Sequence, residues 1–308
     1  MKNTEGFNEI IKKTLTLYDK FYDGEFVYHY TNLASLISII DHKELWLSER
    51  NCMNDKKDES FVRDFCFKLQ GNHKNSDPWK YIKNTHQYIL STSMEKDSIH
   101  QWSYYGSGDG VCIEFRREPL INLFGDFFEW ASYYYGPILY TKEFENDSKE
   151  KEIISDIYKE YNNLKISNEN EEQKFEYEIV EEYLYSLVKQ YGHHCEQEYR
   201  FTITEDAIDC SLDELKKEIK LLEKETNTSN PKIEKINLMI EKLTPSFRTK
   251  NGLVIPYIKF PFEPKDLISS IILSPGNHEE NARDNLRFYL KSRGLGKISV
   301  KKSIMSIR

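Results

Sequence analysis

Three clusters of side chains in the chain have the types and spacing to do chemistry. His29-Tyr30-Thr31 sits in the apolar run FVYHYTNLASLISII, where a strand should hand over to a helix. Ser91-Thr92-Ser93 precedes Trp102, Tyr104 and Tyr105 in STSMEKDSIHQWSYYGSGDG, and HHCEQEYRF places His193, His194, Cys195, Glu196 and Glu198 within six residues. An imidazole such as His29 can donate, accept or titrate near neutrality, as a ligand contact or as a hydrogen-bonded structural plug. Adjacent strand side chains alternate faces and the CxxC and HxxxH spacings are missing, so no metal is expected at 193–198. In a strand beginning there, Glu196 and Glu198 project to one face, with Gln197 and Tyr199 on the other. Two carboxylates on one side can orient a hydroxyl or stabilise a developing oxocarbenium-like cation. An edge paired with Arg200 is the competing reading. Hydroxyls at 91–93 beside aromatic rings suit a flat heterocycle carried on a ribose, while core packing accounts equally for Trp102 or one tyrosine. GSGDG lacks the Lys-Ser/Thr of a phosphate loop, which argues against a nucleoside triphosphate site.

These clusters need elements to hold them. An amphipathic helix is expected at about 4–20, then a turn at Asp23-Gly24 and a strand over FVYHY. Thr31 or Asn32 caps a helix with Leu33, Leu36, Ile37 and Ile40 on one face. Strands are expected in ELWLS, QYILSTSM, GVCIEFR, QEYRFTITE, GLVIPYIKFPF, LISSIILSP and the closing KISVKKSIMSIR, with Pro119 ending the GVCIEFR strand. Helices are expected near 59–70, in SIHQWSYYGSGDG, in HEENARDNLRFYLKSRG and in two charged inserts. The first insert (about 143–190) reads as helices outside a sheet. The second (about 211–243) reads as a solvated helical hairpin around an Asn-Thr-Ser-Asn-Pro turn and offers a face on which a partner could dock. Strands and helices do not alternate regularly, so a single α+β domain spanning 1–308 is expected, with a mostly antiparallel sheet and one core.

Composition limits the function classes. The 308 residues are 39% hydrophobic and 31% charged with a net charge of −8, so the chain folds and any nucleic-acid role must rest on a local basic patch. Five scattered cysteines without a CxxC pair fit the reduced thiols of a cytoplasmic protein, and no segment approaches a membrane span. Asn54, Asp55, Asp58 and Glu59 could hold magnesium for a nuclease, against a solvated turn as the simpler alternative.

In order, YHYTNLASLISII, LSERNCMNDKKDE, STS…QWSYYGSGDGVCIEF, YYGPILY, LVKQYGHHCEQEYRF, LVIPYIKFPF, IILSPGNHEENA and KSIMSIR resemble the bacterial domain of unknown function 2971. That family's Asn-Asp-Pro turn is here Asn54-Asp55-Lys56. The sequence of His-Tyr-Thr, then Ser-Thr-Ser with a following tyrosine, then Glu-x-Glu, also resembles the His-Tyr-Glu layout of the ADP-ribosyltransferase superfamily. That resemblance implies a split antiparallel sheet and NAD as substrate, with no metal. It implies that His29, with Tyr30, Thr31, Ser91, Thr92 and Ser93 around it, binds the cofactor. Arg200, counted with them, and Lys189 flank the Glu-x-Glu stretch and would receive phosphates of NAD or of a target, or equally only pair with the acids nearby. Tyr105, or Tyr104, would stack on nicotinamide. Glu198 would steady the oxocarbenium ion and Glu196 would orient the nucleophile of an unknown protein or nucleic-acid acceptor, as in a toxin or antiviral effector. A non-catalytic nucleotide sensor or protein-interaction module is the alternative.

Overall fold

The computed structural model describes residues 22–52, 86–105, 108–127, 133–141, 186, 188–225, 231–250 and 252–305. The helices expected at 4–20, at 59–70 and over most of 143–190, and the Asn54–Glu59 turn, lie outside these residues. The described chain is α+β, built on a mostly antiparallel ten-stranded sheet. Its strands are β1 (Phe26–Asn32), β2 (Glu44–Glu49), β3 (Gln87–Ser93), β4 (Gly110–Arg116), β5 (Tyr133–Pro137), β8 (Glu198–Thr204), β9 (Ser246–Lys250), β10 (Leu253–Pro261), β11 (Ile268–Leu273) and β12 (Ser299–Lys302). The order β12-β11-β4-β1-β3-β2-β10-β9 branches at β3, which also pairs β8, and β8 pairs β5. Only β11 and β12 run parallel within it. β6 (Leu139–Thr141) and β7 (Val188–Gln190) form a separate parallel pair.

The branch opens the molecule. β3 pairs β8 along its whole length, from Gln87↔Thr204 to Ser93↔Glu198. On its other edge it meets β1 only at Tyr28↔Ser93 and β2 only at Ser48↔Ile89 and Glu49↔Tyr88. Between these contacts β1 and β2 splay apart, and the backbone of Leu90–Thr92 faces a gap. Helix α1 (Leu33–His42) crosses from β1 to β2 beside that gap. Asn32 caps it by accepting from Ser35 N–H at 2.8 Å, and Lys43, left-handed at φ 54°, ends it. Leu36 and Ile40 are its buried face, as the three- and four-residue spacing predicts, but Ile37, expected on the same face, is exposed.

One main core underlies the branched sheet, with Val27, Leu36, Leu47, Leu90, Ile113, Phe115, Phe201 and Phe260 all buried. Phe124 of α3 (Arg117–Phe127) stacks on Phe201 at 5.1 Å and on Phe260 at 4.4 Å. Helix α3 begins directly after β4, so Pro119 does not simply end a strand. It lies in the first helical turn, where a missing N–H breaks no intrahelical bond. Helices α4 (Glu205–Glu225) and α5 (Pro231–Leu243) form the expected hairpin, but its base is not a solvated insertion. Ala207, Ile208, Leu212 and Leu243 are part of the main core, and of its large apolar side chains Leu221 and Leu238 are exposed. Helices α6 (Pro264–Leu267) and α7 (Ala282–Ser292) complete the described chain.

Helix α2 (Ile99–Tyr105) is fixed on the opposite face of β1. Trp102 is buried edge-on to Tyr30, with ring centroids 4.9 Å apart. Its indole N–H donates to Asp97 Oδ1 at 2.6 Å, and Asp97 also accepts from the Ser303 hydroxyl at 2.5 Å and from Ile304 N–H at 2.8 Å. One buried carboxylate thus ties α2 to the chain after β12. Asp97→Ala is expected to lower stability by about 3 kcal/mol, since it removes the charged acceptor and strands buried donors. A shift in urea midpoint at unchanged m-value checks this.

Candidate functional site

The gap beside β3 is the mouth of a cleft of about 870 Å³. Every residue singled out from the sequence as catalytic or cofactor-binding lines it: His29, Tyr30, Thr31, Ser91, Thr92, Ser93, Tyr104, Tyr105, Glu196, Glu198 and Arg200. They do not all face it in the same way.

His29 stands where β1 leaves β3. Its Nδ1 lies 3.1 Å from the Ser91 carbonyl oxygen, exposed because β1 and β3 share a single pair. A carbonyl can only accept, so Nδ1 carries the proton and Nε2 keeps its lone pair. Burial lowers the imidazole pKa, and the bond to Ser91 opposes this only in part. His29 is therefore neutral at physiological pH and offers an acceptor.

Glu198 opens β8 and is 5% exposed. Arg200, two residues along the same strand face, grips it with Nε to Oε1 at 2.9 Å and Nη2 to Oε2 at 2.8 Å. Buried Lys189 of β7 adds a contact to Oε2 at 3.2 Å. Burial alone would raise this carboxyl's pKa, but the charges of Arg200 and Lys189 outweigh it and hold the group below the usual carboxylate range. Arg200 also donates from Nη1 to Ser186 O at 2.8 Å. It is thus an internal partner of Glu198: the pairing of the competing reading forms, but buried on a strand held between β3 and β5 and not at a surface edge.

Glu196 is reached differently. The strand begins only at Glu198; Tyr191–Glu196 is a 3₁₀ turn, and Gln197 adopts a left-handed backbone at φ 45°. The expectation that Glu196 and Glu198 share a strand face by period two is therefore corrected. They meet because Lys189 bridges them, with Nζ 2.9 Å from Glu196 Oε2. His193 Nδ1 approaches Glu196 Oε1 at 3.0 Å, and the Glu196 side chain keeps 26% of its surface open. The Glu196 backbone carbonyl accepts from the Ser93 hydroxyl at 3.0 Å and from Gln101 Nε2 at 2.9 Å, which seats the turn against β3 and α2.

Tyr105 is 45% and Tyr104 72% exposed at the end of α2. The Tyr105 hydroxyl pKa is raised by partial burial first and then by the charges of Glu196 and Glu198, which line the same cleft. Tyr104 instead packs edge-on to His100. Two other hydroxyls are used in holding the scaffold. Tyr30 donates to Glu95 O and accepts from Ser98 N–H, and Thr92 donates to Tyr199 O at 2.6 Å.

From Gln101 in α2 to Phe201 in β8, the chain supplies both tyrosines and the whole charged cluster in one continuous segment. Residues 101–201 match the model of the DUF2971 family. DUF2971 is described as a protein of unknown function. The DUF2971 segment contains Tyr104, Tyr105, Lys189, Glu196, Glu198 and Arg200, whereas His29 and Ser91 lie ahead of it. No curated protein and no solved structure matches the chain.

Several residues in or behind the cleft escaped sequence reasoning. Tyr140 accepts from Glu198 N–H at 2.8 Å, and Gln101 braces the Glu196 turn. At the other end of the cleft stand Trp46, Ser48, Arg50, Arg248 and Lys250. The described residues contain no group of three or more His, Cys, Asp and Glu side chains suited to a metal ion, and no described helix is long and apolar enough to cross a membrane.

Proposed function

We propose that the chain is an NAD-consuming ADP-ribosyltransferase built on an ADP-ribosyltransferase-like split sheet. One observation carries this: His29, whose Nδ1 lies 3.1 Å from the Ser91 carbonyl oxygen, and Glu198, on the strand that pairs β3 from Ser93 back past Ser91, line one cleft. Three segments distant in sequence thus bring an acceptor nitrogen and a carboxylate to one cleft, which Tyr105 also lines. His29 Nε2 is suited to accept from a ribose hydroxyl, and Tyr105 to cover the nicotinamide ring. Cleavage breaks the bond between the nicotinamide nitrogen and ribose C1′. The electron pair leaves with nicotinamide, which becomes neutral, and the positive charge developing on the sugar faces the carboxylates.

Glu198 accepts two bonds from Arg200, one on each oxygen, and its Oε2 also contacts Lys189. A ribose hydroxyl reaches it on the positions left beside these cations or by taking the place of Lys189. Glu196, outside the Arg200 clamp and with a more open side chain, is the carboxylate available to take the acceptor's proton as the nucleophile attacks C1′. The engagement of both Glu198 oxygens also favours a second reading, a nucleotide sensor that binds NAD without cleaving it. Release of free nicotinamide separates the two.

Calorimetric titration of NAD into wild type and His29→Ala tests the site. The wild type is expected to bind, and the variant to lose about tenfold in affinity, the equivalent of one hydrogen bond of roughly 1.4 kcal/mol. An unchanged affinity in a folded His29→Ala protein removes His29 from the site, and absence of binding by wild type ends both readings.

A further inference from the structure

Opposite the carboxylate end, the cleft is walled by strands that belong to no part of the proposed NAD chemistry. β2, β10 and β9 run side by side there, with Ser48 opposite Tyr257 and Tyr257 opposite Ser246. Trp46 keeps 40% of its surface exposed and lies 4.5 Å from the Tyr257 ring at a 33° tilt. The Arg248 guanidinium carbon sits 5.8 Å from both ring centroids and fixes itself by donating Nη2 to Ser48 Oγ at 2.7 Å. Lys250 follows two residues along β9, on the same strand face, and is exposed. Among the described residues neither Arg248 nor Lys250 is paired with a carboxylate, and Arg248 Nε has no hydrogen-bond partner. Glu44, the acid nearest in the cleft lining, is already paired with Lys242 at 3.5 Å. Arg50, donating to Gln87, adds a further positive charge on the same wall.

An exposed Trp46 ring backed by the buried Tyr257, with cations that no described carboxylate pairs spaced along one strand, is a local basic patch of defined chemistry in a protein of net charge −8. An exposed ring stacks any base, and cations two strand residues apart track successive phosphates. An anionic peptide would use the cations and leave the ring idle. We infer that the Trp46–Arg248–Lys250 end of the cleft binds single-stranded nucleic acid, which makes such a strand the acceptor delivered to the carboxylate end. The acceptor role rests on the ADP-ribosyltransferase reading; the binding site itself does not.

The experiment is fluorescence anisotropy with a labelled mixed-sequence 12-nucleotide single strand, as DNA and as RNA, run beside an NAD titration. Wild type is expected to bind at least one of the strands, with affinity falling as salt rises. Trp46→Ala is expected to weaken binding on the order of tenfold, the loss of one stacked base. Arg248→Gln with Lys250→Gln is expected to reduce the salt slope by roughly 1.4, about 0.7 for each phosphate contact removed from a single strand. NAD affinity stays unchanged in these variants. The inference is overturned if wild type binds neither strand, if the variants bind as wild type does, or if they lose NAD affinity instead, which would make this end the cofactor's adenylate subsite. Failure of NAD binding with strand binding intact would refute the transferase reading alone. A Trp46→Tyr variant, which keeps a stacking ring, should retain most of the binding if the ring acts through stacking.

Discussion

Glu198→Gln is expected to abolish nicotinamide release and, at the same time, to destabilise the protein by about 3 kcal/mol. The second effect follows because the substitution leaves Arg200 and Lys189, both buried, short of a negative partner, and breaking a buried ion pair by removing one member costs roughly 3–5 kcal/mol. Lys189 retains Glu196, which favours the lower end of that range. Destabilisation alone could therefore pass for a catalytic loss. Replacing the pair together, Glu198→Leu with Arg200→Met, removes both charges, and stability should recover much of the deficit while activity stays absent. Recovery of activity along with stability would make Glu198 structural.

The same carboxylate sets an acid limit. Its folded-state pKa is depressed below that of the unfolded chain, so its contribution is present above the ordinary carboxylate pKa and is lost as pH falls below it. His29 acts in the same direction at higher pH. Its folded pKa is lowered, so the unfolded chain takes up a proton first as pH drops through about 6.5, and stability falls there too. Urea midpoints measured from pH 7.5 down to 3.5 should decline in both windows, and His29→Ala should flatten only the upper one.

Glu196→Gln is the second large effect, and it should divide the reaction. Glu196 lies outside the Arg200 clamp and is partly open, so the substitution leaves the fold and NAD binding nearly intact. General-base help to a nucleophile is worth about 10²–10⁴-fold, and transfer to an acceptor should fall by that order. Cleavage of NAD by water should fall much less, since a released oxocarbenium ion needs little base assistance. Parallel assays of nicotinamide release and of labelled acceptor read the two rates. An equal loss in both would assign Glu196 to stabilising the sugar cation.

The parts of this site that were legible in the sequence are those fixed by local rules. Asn32 caps α1 as its side chain predicts, and the spacing of Leu36 and Ile40 marks the helix that follows β1; that His29 faces an opening depends on β1 and β3 sharing a single pair. The geometry of Glu196 was not legible: Gln197 takes a left-handed backbone that its side chain does not advertise, so the period of two fails one residue before the strand begins. Likewise Ser246–Lys250 has no apolar alternation to mark it as a strand. It becomes one by pairing with β10, and Arg248 meets Trp46 only because β10 bridges strands some two hundred residues apart. For Lys189, pairing with the acids nearby was one of two readings open from the sequence, but nothing local says that it would be buried between two carboxylates.

The most direct measurement is the release of nicotinamide from NAD by purified protein, followed by chromatography, for wild type and for the folded His29→Ala and Glu198→Leu/Arg200→Met variants. The cleft geometry predicts release by wild type, slower release by His29→Ala and none by the double variant. NAD bound by wild type with no nicotinamide released would contradict catalysis and leave a sensor, and release unaffected by either change would place the chemistry elsewhere.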